Sequence, residues 1–261
     1  MIGGLAAALI HRERWYAPAA VEREVDIYAV GTAPAPGRVR LRRLRRALPA
    51  GQVEAIGGLR VTSAARTAID VARWEVNDDT AIAKIDAVCN RSRIAVSEVS
   101  ALARGLRGLH GLQRVRSLLR WCDQRADSPP ETRLRLLIVR SDLPDPTPQV
   151  EIHNEYGVKV ATADLAYEVG KVAVFYDGDV HRGRSTWEYD ARVNAELSEL
   201  GWQVVRFDAP ESTGGTPPDR CGPRARPRTG MTATRDHITR ILVVPTATEL
   251  RCGHKGHDHT R

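Results

Sequence analysis

Two aspartates lie in neighbouring apolar runs in the second half of the chain. Asp164 is in the run at residues 158–167, and Asp177 ends the run at residues 171–177. If the hairpin between the runs has a two- or four-residue connection, Asp164 faces Phe175, and Asp177 is its diagonal neighbour on the same sheet face, about 7 Å away. Two such carboxylates repel unless they share a divalent cation. A three-residue loop with a bulge would shift the register and separate them.

The residues after Asp177 add groups for proton transfer and anion binding. His181 titrates near neutral pH and can exchange a proton. Arg182 and Arg184 can hold phosphate. Each residue alone is explained by turn chemistry, but their concentration after an apolar strand favours a site, because strand ends commonly carry one. We therefore take Asp164 and Asp177 as candidate metal ligands, His181 as a candidate catalytic group, and Arg182 and Arg184 as candidate nucleic-acid contacts.

Glu131 is a further candidate with a simpler alternative. It follows Ser128, Pro129 and Pro130, which form a boundary and begin a helix. In the first turn a carboxylate is favoured by the helix dipole, so a structural role alone accounts for it.

The elements that must position these residues follow one another within about 80 residues, the size of a small domain. The pattern predicts a helix from Glu131, strands near 150–152, at 158–167 and at 171–177, a helix at 185–200 ended by Gly201, and a strand at 202–207. Upstream, residues 1–125 alternate short strands, at 25–30, 37–41 and 59–61, with helices capped near Thr62 or Ser63 and Ser97. The predicted fold class is α/β: an α+β first region, then an α/β domain with a mixed sheet.

Composition excludes several classes of protein. The 261 residues are 42% hydrophobic and 27% charged, which is ordinary for a soluble globular chain. No apolar run approaches the roughly 20 residues of a membrane helix. The four cysteines are scattered, so a disulfide scaffold is not expected and the cytoplasm is the expected compartment.

The net charge is +7, and nearly all of the 39 basic residues are arginine, since only four are lysine. Arginines form one cluster at residues 38–46 and a second along the predicted helices at 104–120. Such clusters could follow a phosphate backbone. The alternatives are high-GC coding, which enriches arginine generally, and ordinary solvated faces; no interleaved aromatic residues in the sequence favour base stacking.

The order of elements and four short motifs resemble the PD-(D/E)XK nuclease superfamily, in its very-short-patch-repair (Vsr)-like endonuclease branch. The motifs are PETRLRLL at 130–137, ADL at 163–165, VAVFYDGDVHR at 172–182 and LGWQVVR at 200–206. The resemblance implies a restriction-endonuclease-like fold in which Asp164 binds Mg²⁺ and Glu131 acts through a metal-bound water. Two positions depart from the superfamily pattern: Phe175 replaces a usual glutamate, and Asp177 replaces a lysine. Vsr endonucleases are also apolar at the first position and carry a histidine further on, as His181 is here.

A second resemblance covers residues 57–70, GGLRVTSAARTAID. This segment is similar to actinobacterial proteins that join an AbiEi-antitoxin-like part to a nuclease-like domain. Those proteins usually begin with a winged helix-turn-helix, so the resemblance implies an N-terminally truncated chain. The expected organisation is an incomplete AbiEi-like region at 1–125, a Vsr-like domain at 126–207 and a disordered tail, rich in Pro, Gly and Arg, at 208–261.

These observations give a leading hypothesis and two alternatives. The leading one is a nucleic-acid-processing protein, for which DNA is expected ahead of RNA as the substrate. It would hydrolyse phosphodiesters in a Mg²⁺-dependent reaction that uses four candidate residues: Asp164, Asp177, His181 and Glu131. The first alternative is a non-catalytic nucleic-acid-binding or antitoxin-like regulator with a degenerate nuclease fold, favoured by Phe175 and the missing lysine. The second is a truncated gene product without activity.

Overall fold

The structure is a computed structural model that describes residues 1–22, 24–31, 37–44, 46–141, 143–177 and 184–208. The described residues form two compact units, one within Met1–Leu136 and one within residues 137–208. Both units combine helices with β-sheet, so the predicted α/β class is confirmed. Among the residues described, no helix is long and apolar enough to cross a membrane.

The first unit contains two pairs of strands that the N-terminal residues join. Strand β1 (Val25–Val30) pairs with β2 (Val39–Leu44) in parallel, and β3 (Val53–Ile56) pairs with β4 (Leu59–Thr62) in an antiparallel hairpin. Ile2 bridges the two pairs. Its amide donates to the Arg60 carbonyl at 2.8 Å, and its carbonyl accepts from the Thr62 amide at 3.0 Å. The apolar start of the chain thus supplies sheet before its helix begins.

The described part of the first unit and its boundary contains seven helices. They are α1 (Gly4–Ile10), α2 (Ala17–Val21), α3 (Ala64–Arg73), α4 (Asp78–Ser92), α5 (Val96–Gly105), α6 (Leu112–Leu118) and α7 (Pro129–Val139), with short 3₁₀ turns at Ala50–Gln52 and Leu119–Trp121. Helices α3, α4 and α6 contribute fully buried Ile69, Ile82, Ile85 and Val115 to one core. The apolar periodicity of these segments explains their burial, since each helix turns one stripe towards the core.

The start signals of two helices test the sequence reading. Ser63 caps α3, with its hydroxyl accepting from the Arg66 amide at 3.4 Å, as expected. The expectation that Ser97 caps α5 is wrong, because Ala95 occupies the cap position. There Glu98 replaces the missing side-chain cap by accepting from the Ala95 amide at 2.9 Å. The carboxylate satisfies an amide that the helix itself cannot pair.

Gly111, at the start of α6, provides a first testable prediction. Its φ is +77°, and a Cβ there would lie 2.7 Å from the Arg73 carbonyl oxygen. Gly111→Ala is therefore expected to lower the free energy of unfolding by about 2–4 kcal/mol, from left-handed strain and the clash together. Gly108 is the matched control: its φ is +69°, but a Cβ would meet nothing within 4 Å. Gly108→Ala should cost about 1 kcal/mol in urea titrations, and equal losses would contradict the steric argument.

The second unit is a four-stranded mixed sheet covered by a helix. Its strand order is β5 (Thr147–His153), β6 (Lys159–Tyr167), β7 (Val172–Asp177) and β8 (Gln203–Asp208). Strands β5, β6 and β7 are antiparallel neighbours, and β8 lies parallel to β7 after helix α8 (Arg184–Glu199). The sequence of helix, three strands, helix and strand is the predicted one.

Helix α8 buries an apolar stripe on this sheet. Val193 and Leu197 belong to a cluster with Ala166 of β6 and Ala173 of β7. Gly201, with φ +80°, ends the helix as predicted, and the Trp202 amide donates to the Leu197 carbonyl at 2.8 Å. This left-handed cap turns the chain directly into β8.

Candidate functional site

The β6–β7 hairpin has the register that places the candidate carboxylate as predicted. Leu165 pairs with Val174 and Tyr167 pairs with Val172, across a four-residue connection at 168–171. The observed pairs end at Leu165 and Val174, and continuing this register by one position would set Asp164 opposite Phe175. The four-residue alternative is therefore confirmed, and the bulged three-residue alternative is wrong. Lys171 closes the turn with a φ of +48°.

Asp164 is half-buried and already holds two polar neighbours. One carboxylate oxygen accepts from the Tyr176 amide at 2.7 Å, and the other lies 3.4 Å from the Gln149 side-chain nitrogen. Polar groups of three adjacent strands therefore meet at this one carboxylate. The carboxylate of Asp164 thus links β6 to both β5 and β7 through hydrogen bonds.

Sequence reasoning missed Gln149. Its φ is +53° in the middle of β5, a backbone conformation that non-glycine residues rarely adopt. It lies between the pairs Pro148–Leu165 and Val150–Ala163, directly across from Asp164. Glutamine carries none of the metal or acid-base chemistry that the search used, so only this unusual backbone marks the position. Strained residues of this kind cluster at functional sites, where surrounding structure holds them.

An apolar ring and an arginine continue from Asp164 across the sheet. Phe175 of β7 pairs in register with Arg206 of β8. The Arg206 guanidinium lies 4.9 Å from the Phe175 ring centroid and donates to the Asn194 side-chain oxygen of α8 at 2.9 Å. The position where the nuclease resemblance expects an acid is thus filled by a ring packed beneath an arginine.

Glu131 belongs to the first unit and forms a capping box. The Ser128 hydroxyl donates to one Glu131 carboxylate oxygen at 2.7 Å, and the Asp127 amide donates to the other at 3.0 Å. The Glu131 amide lies 3.4 Å from the same hydroxyl, and the residue is only 8% exposed. This pattern is the reciprocal Ser and Glu arrangement that starts many helices. The structural alternative for Glu131 is therefore realised, and its proposed catalytic role remains a prediction.

Substitutions at Glu131 test its role as a helix cap. Glu131→Ala should lower the free energy of unfolding by about 1 kcal/mol, because the Asp127 amide and the Ser128 hydroxyl lose their acceptor. Glu131→Gln should remain close to wild type in thermal unfolding, because glutamine also serves in a capping box. A large loss in both variants would show that the charge itself stabilises the fold.

The remaining predicted site residues lie at the border of the described chain. His181 and Arg182 are outside the described residues, as are the side chains of Asp177 and Arg184. The backbone of Asp177 ends β7 and pairs with Asp208, and Arg184 begins α8. Within the part of the chain that the structure describes, no three His, Cys, Asp or Glu residues could hold a metal ion. The described residues do not by themselves fit a magnesium centre, and the metal roles of Asp164 and Asp177 remain predictions.

Many arginines of the first cluster have partners within the first unit. Arg40 pairs with Glu24, and Arg42 donates to Asp26 at 2.8 Å. Arg42 also packs on Trp74, with its guanidinium carbon 3.9 Å from a ring centroid. This aromatic contact joins residues distant in sequence, so the sequence search did not find it.

The second cluster serves helix ends. Arg116 donates to the carbonyls of Ala103 and Leu106, at 2.8 and 2.9 Å, where α5 finishes. Arg114 donates to the Glu75 carbonyl and, at 2.6 Å, to the Asp78 carboxylate. Arginines at a helix C-terminus satisfy carbonyls and oppose the dipole. These contacts give Arg114 and Arg116 a structural role at helix ends.

Buried carboxylates organise two polar networks of the first unit. Asp70 accepts from the Tyr28 hydroxyl at 2.5 Å and from the Arg66 and Arg73 guanidinium groups at 2.8 and 2.7 Å. Burial, and then the neighbouring Asp70 charge, raise the pKa of Tyr28 well above its ordinary value, so this hydroxyl remains a donor. The sequence gives no hint of this network, because Tyr28 and Asp70 are 42 positions apart.

Asp86 of α4 is the centre of the second network. It accepts from the Arg135 guanidinium at 2.9 Å, from the Thr132 hydroxyl at 3.0 Å and from the Asp123 amide at 2.8 Å. Burial raises the pKa of Asp86 to about 7, although these partners oppose the shift. Burial likewise raises the pKa of the Cys122 thiol beside it, which makes that thiol a weak nucleophile.

Comparison with known proteins identifies part of the first unit. Residues 15–121 match the model of the AbiEi antitoxin C-terminal domain. Two curated proteins of Mycobacterium tuberculosis, one from strain CDC 1551 / Oshkosh and one from strain ATCC 25618 / H37Rv, are each 32% identical over 155 residues. Both are described as uncharacterized proteins. The match covers 59% of this chain and 56% of each relative, so the chain spans about half of their length. No solved structure matches the chain.

Proposed function

We propose that the protein is a nucleic-acid-binding regulator of the antitoxin type. The observation that carries the proposal is the match of residues 15–121 to the AbiEi antitoxin C-terminal domain. That segment lies within the first compact unit and includes its helical core. The net charge of +7 is compatible with a polyanionic partner.

The contacts of the candidate carboxylates Asp164 and Glu131 favour a binding role over catalysis. Asp164 already accepts the Tyr176 amide, and β7 carries Phe175 where the nuclease resemblance expects a second acid. Glu131 has both carboxylate oxygens in a helix cap. Catalytic carboxylates must reach a metal or a proton in the substrate complex, which groups committed to backbone amides do less readily.

The test of binding uses the full chain with labelled single-stranded DNA, duplex DNA and RNA in EDTA. Fluorescence anisotropy at increasing salt should show binding that needs no divalent ion and weakens as salt rises, because phosphate contacts release counterions. Asp164→Asn should bind as wild type does, since its amide oxygen can still accept the Tyr176 amide. Absence of binding to every probe, or binding only with Mg²⁺, would overturn the proposal.

The antitoxin role needs a separate experiment. The chain is co-expressed with the product of a neighbouring gene whose expression alone arrests growth. Restored growth is expected if the chain neutralises that product, and an Asp70→Ala variant, in which the first unit is destabilised, should fail to restore it. Unchanged arrest with soluble, folded protein would contradict the antitoxin role while leaving nucleic-acid binding to be judged by anisotropy.

Metal-dependent nuclease activity is the second candidate. It is favoured by the predicted order of elements in the second unit and by the hairpin register, which would set Asp164 opposite Phe175 if continued by one position. Assays with plasmid, single-stranded DNA and RNA in Mg²⁺ and Mn²⁺ should then show cleavage that Asp164→Asn abolishes. Equal cleavage by that variant would exclude Asp164 as a metal ligand, and no cleavage by the wild-type chain would leave the regulator as the supported function.

A further inference from the structure

An open groove lies beside the last strand of the second unit. Its volume is about 530 Å³, and its lining residues come from α8, the connection that follows it and β8: Asn194, Ser198, Trp202, Gln203, Val204 and Arg206. A space of this size is within the usual range for small-molecule sites and exceeds what a single ion needs. The LGWQVVR motif at 200–206 contains four of these residues, but the resemblance gives none of them a role. The family match at residues 15–121 does not reach them.

The groove lies beside β8, which is an edge strand of the described sheet. Strand β8 pairs with β7 on one side, and no other strand of the described sheet pairs with its second side. An edge of this kind presents backbone donors and acceptors to whatever enters the groove. Backbone groups can read an extended ligand without requiring a particular side chain.

The lining side chains have the chemistry of a nucleotide site. Trp202 supplies a half-buried aromatic surface, and Ser198 and Gln203 are exposed polar groups. Arg206 is held by its 2.9 Å bond to Asn194 and by the Phe175 ring, which fixes the direction of its guanidinium. An aromatic residue stacks on a base, an oriented guanidinium binds phosphate, and amides read base edges.

We infer that this groove binds one nucleotide unit of a single-stranded nucleic acid, with the base against Trp202 and a phosphate at Arg206. The inference rests on the proposed function, because it names where and in what form the nucleic acid is bound. A single strand is required, since a base inside a duplex is not free to stack on a side chain. The positive charge of Arg206 complements the phosphate, and the apolar part of the lining complements the base.

Ser198 allows a test that does not disturb the core. It is exposed on α8 and lines the groove, so Ser198→Glu introduces a negative charge into the site. Ala195→Glu is the matched control, because Ala195 is exposed on the same helix and does not line the groove. We measure binding of a fluorescein-labelled oligothymidylate to the full chain in EDTA by anisotropy. Ser198→Glu should weaken binding about tenfold, and Ala195→Glu should leave it within about twofold.

A second pair of variants tests the aromatic contact. Trp202→Ala should weaken binding at least about fivefold, whereas Trp202→Phe, which keeps a ring for stacking, should restore most of it. Circular dichroism and thermal unfolding show whether Trp202→Ala is folded, and Ser198→Glu decides the matter if it is not. If the wild-type chain binds and neither Ser198→Glu nor Trp202→Ala weakens that binding, the groove assignment is overturned and the proposed function stands. No binding by the wild-type chain to any nucleic acid would overturn both.

Discussion

Asp70→Ala is expected to lower the free energy of unfolding of the first unit by about 3–5 kcal/mol. The variant leaves the Arg66 guanidinium, whose side chain is 2% exposed, without its carboxylate partner. It also removes the acceptor of the buried Tyr28 hydroxyl. A buried charge without a partner retains its full desolvation cost, which explains a loss larger than that of any single hydrogen bond. Urea titration followed by circular dichroism measures the change.

Asp78→Ala is the matched control for this prediction. Asp78 also forms an ion pair with an arginine, Arg114, but its side chain is 57% exposed. Solvent screens exposed pairs, so the loss should be at most about 1 kcal/mol. Similar losses for Asp70→Ala and Asp78→Ala would show that burial does not determine the contribution of these pairs.

The second large effect is a dependence of stability on pH that originates at Asp86. Its pKa is about 7 in the folded protein and 3.8 as its ordinary value. The folded state therefore binds a proton more tightly than the unfolded state does. The contribution of Asp86 to the free energy of unfolding is therefore fully present below pH 4. It declines as pH rises towards 7, because in this interval the folded protein holds more protons than the unfolded protein does. Above pH 7 this contribution no longer changes.

Asp86→Asn removes the titration, so the slope between pH 5 and 7 should be less negative in the variant than in the wild type. Glu75 and Asp123 have lowered pKa values and act in the opposite direction, at pH values below their ordinary 4.5 and 3.8. Both chains carry the same eight histidines, so the difference between the two curves isolates Asp86. Identical slopes would exclude a raised pKa at this residue. Above pH 7, where the wild-type carboxylate is charged, the variant should also be less stable, because Arg135 loses its buried charged partner.

Local signals accounted for the features that the sequence predicted correctly. Ser63 and Gly201 mark helix ends through interactions within a few residues, and the hairpin register follows from alternation in two adjacent strands. These patterns reflect short-range sterics and hydrogen bonding, which a sequence displays directly. The register of the β6–β7 hairpin could therefore be predicted without a structure.

The features that the sequence did not reveal depend on contacts between distant residues. Arg42 packs on Trp74 and Asp70 binds Tyr28 only because the fold brings β1, β2 and α3 together. Gln149 has no distinctive neighbours in the sequence, and its relation to Asp164 comes from pairing with a strand that follows. Polar networks of this kind have no periodicity, so composition and spacing cannot indicate them.

The bridging position of Ile2 also bears on how the first unit resists aggregation. Without residues 1–3, the sheet would fall into two separate strand pairs, and two-stranded ribbons are marginal on their own. The amides and carbonyls of Asp26, Tyr28, Arg60 and Thr62 that now bond to this segment would become open strand edges. Such edges recruit strands from other molecules. Residues 1–3 thus cover strand edges that could otherwise pair between copies of the chain.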